Sequence, residues 1–101
     1  MTDTLTILTA ARKIIADPAM WYQGGYTASG DWNTDEPCDA SCAIKRAAYA
    51  IGVDPFDAIM DIRAFTPDDV GICDFNDADS TTHADVLAVF DRAIAALEVK
   101  P

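Results

Sequence analysis

Three cysteines, Cys38, Cys42 and Cys73, and one histidine, His83, are the side chains of this sequence best suited to metal or nucleophilic chemistry. Cys38 and Cys42 stand at i and i+4, on one face if both are helical. Cys73 and His83 would complete a Cys₃His zinc set. The spacing fits no familiar zinc knuckle, and buried free cysteines in helices commonly act as small apolar residues. We therefore expect three core cysteines, a surface histidine, no bound metal and no cofactor. A cysteine nucleophile needs a base, and only Cys42–His83 or Cys73–His83 supplies one. Residue types alone assemble no set of nucleophile, base and orienting group, and the chain has no glycine-rich phosphate loop. The expectation is a non-enzymatic protein, with a small zinc- or cysteine-dependent enzyme as the alternative.

The densest polar stretch is CDFNDADSTTHADV, Cys73 to Val86. An EF-hand calcium loop needs oxygen ligands at positions one, three, five and twelve and glycine at six. Started at Asp74, the frame puts Ala78 at five and Asp79 at six; started at Asp77, it puts Ala88 at twelve. Neither frame works. Asp74, Asn76, Asp77 and Asp79 are better read as residues that turn and cap the backbone ahead of a helix.

The net charge is −10. From Asp54 to Asp85, nine aspartates face a single base, Arg63, a net of −8 in one third of the chain. This balance argues against direct nucleic-acid binding, which needs Lys and Arg against phosphate. It is read first as a solvated, solubilising face. The functional alternatives are a docking surface for a basic protein and an acidic mimic of nucleic acid.

The elements that must position these residues are helices. Leu5, Leu8, Ala11 and Ile15, with Ile7 and Ile14 beside them, predict a first helix from about Asp3 to Ala16, ended by Pro18. Residues 19–37 alternate Trp21, Tyr22, Tyr26 and Trp32 with glycines and polar residues and keep no helical period. They predict an aromatic, glycine-rich loop or a short hairpin around Ala28–Asp31. A second helix is expected from Pro37 to Ile51, with Ala40, Ala43, Ile44, Ala47, Ala48 and Ile51 buried and Gly52 as its C-terminal cap. Asp54 and Pro55 start a third, whose Phe56, Ile59 and Met60 share an apolar face. Thr66–Asp69 reads as a helical turn and Ile72–Phe75 as briefly extended. Thr82 and Asp85 open a fourth long helix, His83 to Glu98, with Val86, Phe90, Ala93 and Leu97 in one stripe. The fold class is mainly α: one domain, a compact bundle of about four helices.

The N-terminal stretch MTDTLTILTAARKIIADP has no basic start followed by a sustained apolar run, so no secretion signal is expected. Three cysteines are an odd count that suggests no disulfide framework, and the expected setting is a reducing cytoplasm. No segment is long enough for a membrane span.

Trp21-Tyr22-Gln23-Gly24 with Tyr26, then Cys42-Ala43-Ile44 opening an alanine-rich helix, then Phe75-Asn76-Asp77, a threonine pair and Asp85-Val86-Leu87 leading to Asp91-Arg92-Ala93-Ile94, follow one another in a recognisable order. The order resembles a small uncharacterised domain family of actinobacteria and their bacteriophages. Lys45 and Arg46 depart from the small residues such proteins tend to carry there. The resemblance implies a phage accessory protein that acts by binding a host cytoplasmic protein, and no catalytic residues. The expected contact surfaces are the aromatic loop (Trp21, Tyr22, Tyr26, Trp32) and the acidic segment (Asp68, Asp69, Asp74, Asp77, Asp79).

Overall fold

The computed structural model describes residues 3–99. Helix α1, Asp3–Ile14, carries an acid in its first turn and Arg12 and Lys13 in its last, each matched to the adjacent end of the helix dipole. It buries Ile7, Leu8 and Ala11, and Ile15 follows just beyond its end. A 3-10 turn, Pro18–Met20, comes next, with the Asp17 carboxylate accepting from the Ala19 N–H at 2.9 Å.

Helix α2, Ala40–Ala50, starts three residues later than the proline at 37 suggests. The reason is a pair of backbone hydrogen bonds that hold Cys38 extended: its N–H donates to Met20 O and its carbonyl accepts from Tyr22 N, both at 2.9 Å. Cys38 thus precedes the helix and Asp39 is its N-cap, with Oδ1 2.7 Å from Cys42 N. The helix ends as expected. Gly52 lies at φ 72°, its N–H bonds to Tyr49 O, and Val53 N reaches back to Ala48 O, the paired bonds of a Schellman cap. Ile51 is half exposed rather than buried, because it is the C-cap residue at which the helical face has already run out.

Helix α3 spans Phe56–Ile62, and the Asp54 carboxylate accepts from Phe56 N at 2.8 Å. Its buried residues are Ala58 and Ile62, so the Phe56–Met60 face that looks apolar in sequence points outward. Two 3-10 turns, Arg63–Phe65 and Pro67–Asp69, lead on. Asp68 and Asp69 sit at φ 58° and 55°, a left-handed conformation that aspartate tolerates better than most residues. Residues 72–75 are not extended. They open helix α4, Ile72–Asp77, with Ile72, Phe75 and Asn76 on its buried side. Helix α5, His83–Glu98, has the expected capping box: Thr82 Oγ1 accepts from Asp85 N at 3.1 Å and Asp85 Oδ2 from Thr82 N at 3.0 Å.

The chain is mainly helical, and among the described residues no strand forms; Trp21 and Cys38 make an isolated parallel bridge. The hairpin alternative for residues 28–31 is not taken. Gly30 N bonds to Thr27 O in a tight turn, and the segment continues as an irregular loop. Helix α1 lies against α2 and α5, α3 closes one side, and α4 packs on α2. Ala40, Ala43, Ala47 and Ala48 are all buried, and their short side chains let neighbouring elements come close to α2. None of the helices is long and apolar enough to cross a membrane, among the described residues.

Candidate functional site

One buried side chain ties the start of the aromatic loop to the helices. Asn76, fully buried on α4, uses all of its amide. Oδ1 accepts from the Trp21 indole N–H at 2.7 Å and from Ala40 N at 3.0 Å. Nδ2 donates to Tyr22 O and to Asp77 Oδ1, each at 3.0 Å. Beside it, the two hydrogens of Gln23 Nε2 are shared among the carbonyls of Asn76, Ala78 and Thr81 at 2.8–3.1 Å. Gly24 N donates to Asp77 Oδ1 at 2.9 Å. The Trp-Tyr-Gln-Gly and Asn-Asp segments, more than fifty residues apart in sequence, are two halves of one clasp.

Asp39 sits next to this clasp, buried, with Asp77 and Cys73 nearby. Burial, as the largest cause, pushes its carboxyl up to about 6. Hydrogen bonds from Cys42 N and Ser41 Oγ oppose that shift, and the Asp77 charge adds to it. Gly25, Tyr26, Asp39, Cys73 and Asp77 line a cleft of about 240 Å³. That is below the roughly 300–1,000 Å³ of small-molecule pockets. Burial raises the Cys73 thiol, which disfavours the thiolate a nucleophile would need. Lys45 Nζ donates to the Tyr26 hydroxyl at 2.5 Å and lies over the same ring, 4.1 Å from its centroid.

The four metal candidates are not brought together. Cys38 and Cys42 are neighbours at the start of α2, Cys73 lies on α4 beside Asp39, and all three are free. His83 is half-buried rather than a surface residue: Nε2 donates to Ile15 O at 2.6 Å, and the ring lies 5.6 Å from that of Trp21. That contact anchors the start of α5 to the end of α1. Among the described residues no group of three or more His, Cys, Asp or Glu converges as a metal site.

The expected contact residues divide sharply. Trp21, Tyr26 and Trp32 pack half-buried on the core, and Tyr22 is half-buried as well. Trp32 stacks on Tyr49 at 4.9 Å between centroids. Its carbonyl accepts from Arg46 Nε at 2.6 Å, while the same guanidinium reaches Glu36 O at 2.9 Å and Thr34 Oγ1 at 3.1 Å. Lys45 and Arg46, the departures from small residues in α2, are therefore the side chains that hold the loop down. Asp68, Asp69, Asp74 and Asp79 are exposed, whereas Asp77 is half-buried in the clasp.

Sequence reasoning missed the outward face of α3. Phe56 is 64% and Met60 46% exposed, one turn apart, flanked by the exposed carboxylates of Asp54, Asp57 and Asp61. The available signal was the pairing of Ala58 with Ile62, four residues apart, which competes with the Phe56–Met60 stripe for the core.

These features define a small, mainly helical domain whose irregular aromatic segment is clasped to its helices by a buried asparagine and whose helix α3 turns Phe56 and Met60 outward. A family model described as a family of unknown function (DUF6197) matches residues 1–96, and the chain belongs to that family. No curated protein and no solved structure matched the chain.

Proposed function

We propose that the protein is a non-enzymatic binding module that engages a basic protein through the outward face of α3. The observation that carries this reading is the exposure of Phe56 and Met60 on one helical face with Asp54, Asp57 and Asp61 around them. An apolar centre with a charged rim is the general anatomy of a protein–protein contact. The aspartates select a partner that presents lysine or arginine around an apolar anchor, and the wider acidic surface, Asp68, Asp69, Asp74 and Asp79, steers its approach. The actinobacterial and phage setting implied by the motif order makes the partner a host cytoplasmic protein and this chain a phage accessory factor.

The test compares what the tagged protein and its Phe56→Ser/Met60→Ser variant recover from actinobacterial lysate at low and high salt. A basic protein held by the wild type, lost with the variant and weakened by salt supports the reading. Equal recovery by both proteins contradicts it. A second reading, an acidic mimic of nucleic acid, is favoured by the exposed aspartates of residues 68–79, which have only Arg63 near them in sequence. It predicts a DNA-binding partner that DNA displaces and that the α3 variant still captures.

A further inference from the structure

Building on the reading that the outward face of α3 is a contact surface, we propose that the cleft beside it is a socket for the basic partner's anchor. One apolar side chain of the partner fills the space between α1, α5 and the turn after α3, and a neighbouring lysine or arginine of the partner meets Asp61.

Helices α1, α3 and α5 pack on one another, and the 3-10 turn Arg63–Phe65 lies against α5. Where they meet, several side chains are short. Leu8 and Ala93, both fully buried, form the floor of a cleft of about 230 Å³, and Ala64, Phe65, Ala96 and Leu97 form its walls. Ala64, Ala93 and Ala96 supply one methyl group each, so the surrounding elements leave apolar space that their own side chains do not fill. Apolar surface without partner atoms forfeits the dispersion contacts of close packing, and a group of matching size restores them. Size also sets the class of occupant. The cleft is smaller than the roughly 300–1,000 Å³ of a small-molecule pocket. It is larger than the roughly 150 Å³ cavity that takes one benzene ring. That range suits a single leucine, methionine or phenylalanine side chain.

The cleft continues the α3 face. Phe56, Met60 and Ala64 recur every four residues and all three are exposed, so the apolar stripe runs along α3 to the lip of the cleft. Asp61, exposed, is the one charged residue among the described residues that line it. Asp57, one turn earlier in α3, is exposed as well. The bases nearest in sequence and in the adjoining helix are engaged elsewhere: Arg63 Nε donates to Asp69 O at 2.8 Å and Arg92 Nη2 to Phe65 O at 3.1 Å. The mouth therefore combines an apolar interior with an unneutralised carboxylate at its edge. That combination selects an apolar side chain with a cation beside it over one flanked by acids.

The test uses the folded full chain and has two arms. In the first, the leucine and alanine methyl groups are labelled, and 2-phenylethylammonium chloride and sodium phenylacetate are titrated separately and followed by NMR. The probes share a ring and differ in charge. Shifts centred on Leu8, Ala96 and Leu97 and larger for the cation are expected, and Asp61→Asn is expected to remove the difference between the probes. Equal shifts in the wild type, or no shift at these methyls, overturn the proposal. In the second arm, the basic protein captured by the wild type is titrated against Ala96→Leu, and against Ala64→Leu should the first variant unfold; each fills the cleft. A loss of affinity of about tenfold or more is expected, and a smaller loss overturns the socket. Phe56→Ser/Met60→Ser separates the two claims. If it alone loses the partner, the α3 face stands and the socket fails; if the filled variant alone loses it, the socket stands and the α3 reading fails. A wild type that captures no basic protein overturns both.

Discussion

Asn76→Ala is the substitution that loads the structure most directly. The amide side chain makes four hydrogen bonds and is fully buried. Truncation leaves the Trp21 indole N–H, the Ala40 N–H and the Tyr22 carbonyl without their partner, while Asp77 keeps the Gly24 N–H. An unsatisfied buried polar group costs about 1–3 kcal/mol. Three of them, with some relief from water entering the vacated space, set an expected loss of about 3–6 kcal/mol. Domains of this size have about 5–15 kcal/mol in total, so the variant sits near its unfolding threshold. Urea titration followed by far-UV circular dichroism reads the loss as a lower midpoint at unchanged slope. Tryptophan fluorescence reports early exposure of Trp21. Asn76→Asp separates the two halves of the argument. It keeps the acceptor for Trp21 and Ala40 and removes both donors, and it adds a charge beside Asp77 and Asp39. Its defect is therefore larger at neutral than at acid pH. A loss below about 1 kcal/mol for Asn76→Ala, the size of one ordinary surface change, would refute the idea that this side chain holds the loop.

Asp39 gives a pH signature with a defined sign. Its folded carboxyl is raised from 3.8 to about 6, so its contribution to stability is fully present at acid pH and is lost as pH rises through about 6. The size is about 3 kcal/mol between those limits. Asp39→Asn keeps a good N-cap and removes that part of the slope, which urea midpoints of both proteins across the range would show. Unchanged slope in the variant contradicts the assignment. Arg46→Ala releases the carbonyls of Trp32 and Glu36, and limited proteolysis is expected to cut within residues 31–37. Phe56→Ser/Met60→Ser is expected to leave the unfolding free energy from urea titration within about 0.5 kcal/mol of wild type, because both side chains already face water. A large loss would mean that α3 docks through that face instead.

Much of the helical plan was legible because it is locally encoded. The capping box of Thr82 and Asp85, the glycine after α2 and the prolines at 18 and 55 act within a few residues, and the apolar stripes of α1 and α5 are long enough to fix which side faces inward. Short elements were not. Helix α4 spans six residues, too few for a period to emerge from Ile72, Phe75 and Asn76. Helix α3 spans seven, and its orientation was decided by Ala58 and Ile62 meeting the core. The clasp was invisible for a different reason: Asn76 meets Trp21 and Tyr22 across more than fifty residues, and spacing carries no information about such contacts. The Trp-Tyr-Gln-Gly and Asn-Asp motifs were recognised as a set, but their physical link appears only in the fold. The same holds for Lys45 and Arg46, which look like surface charges on a helix and prove to be the anchors of the loop.

Binding through α3 can be read at a single atom. The side chain of Met60 is 46% exposed on the proposed contact face, whereas Met20 sits half-buried beside the clasp. With the protein labelled in its methionine methyl groups, the captured basic partner is titrated in and the methyl resonances are followed by NMR. The account predicts that the Met60 resonance shifts or broadens in step with complex formation, and that Phe56→Ser/Met60→Ser abolishes the complex. A complex that forms with the Met60 resonance unmoved would place the contact elsewhere and contradict it.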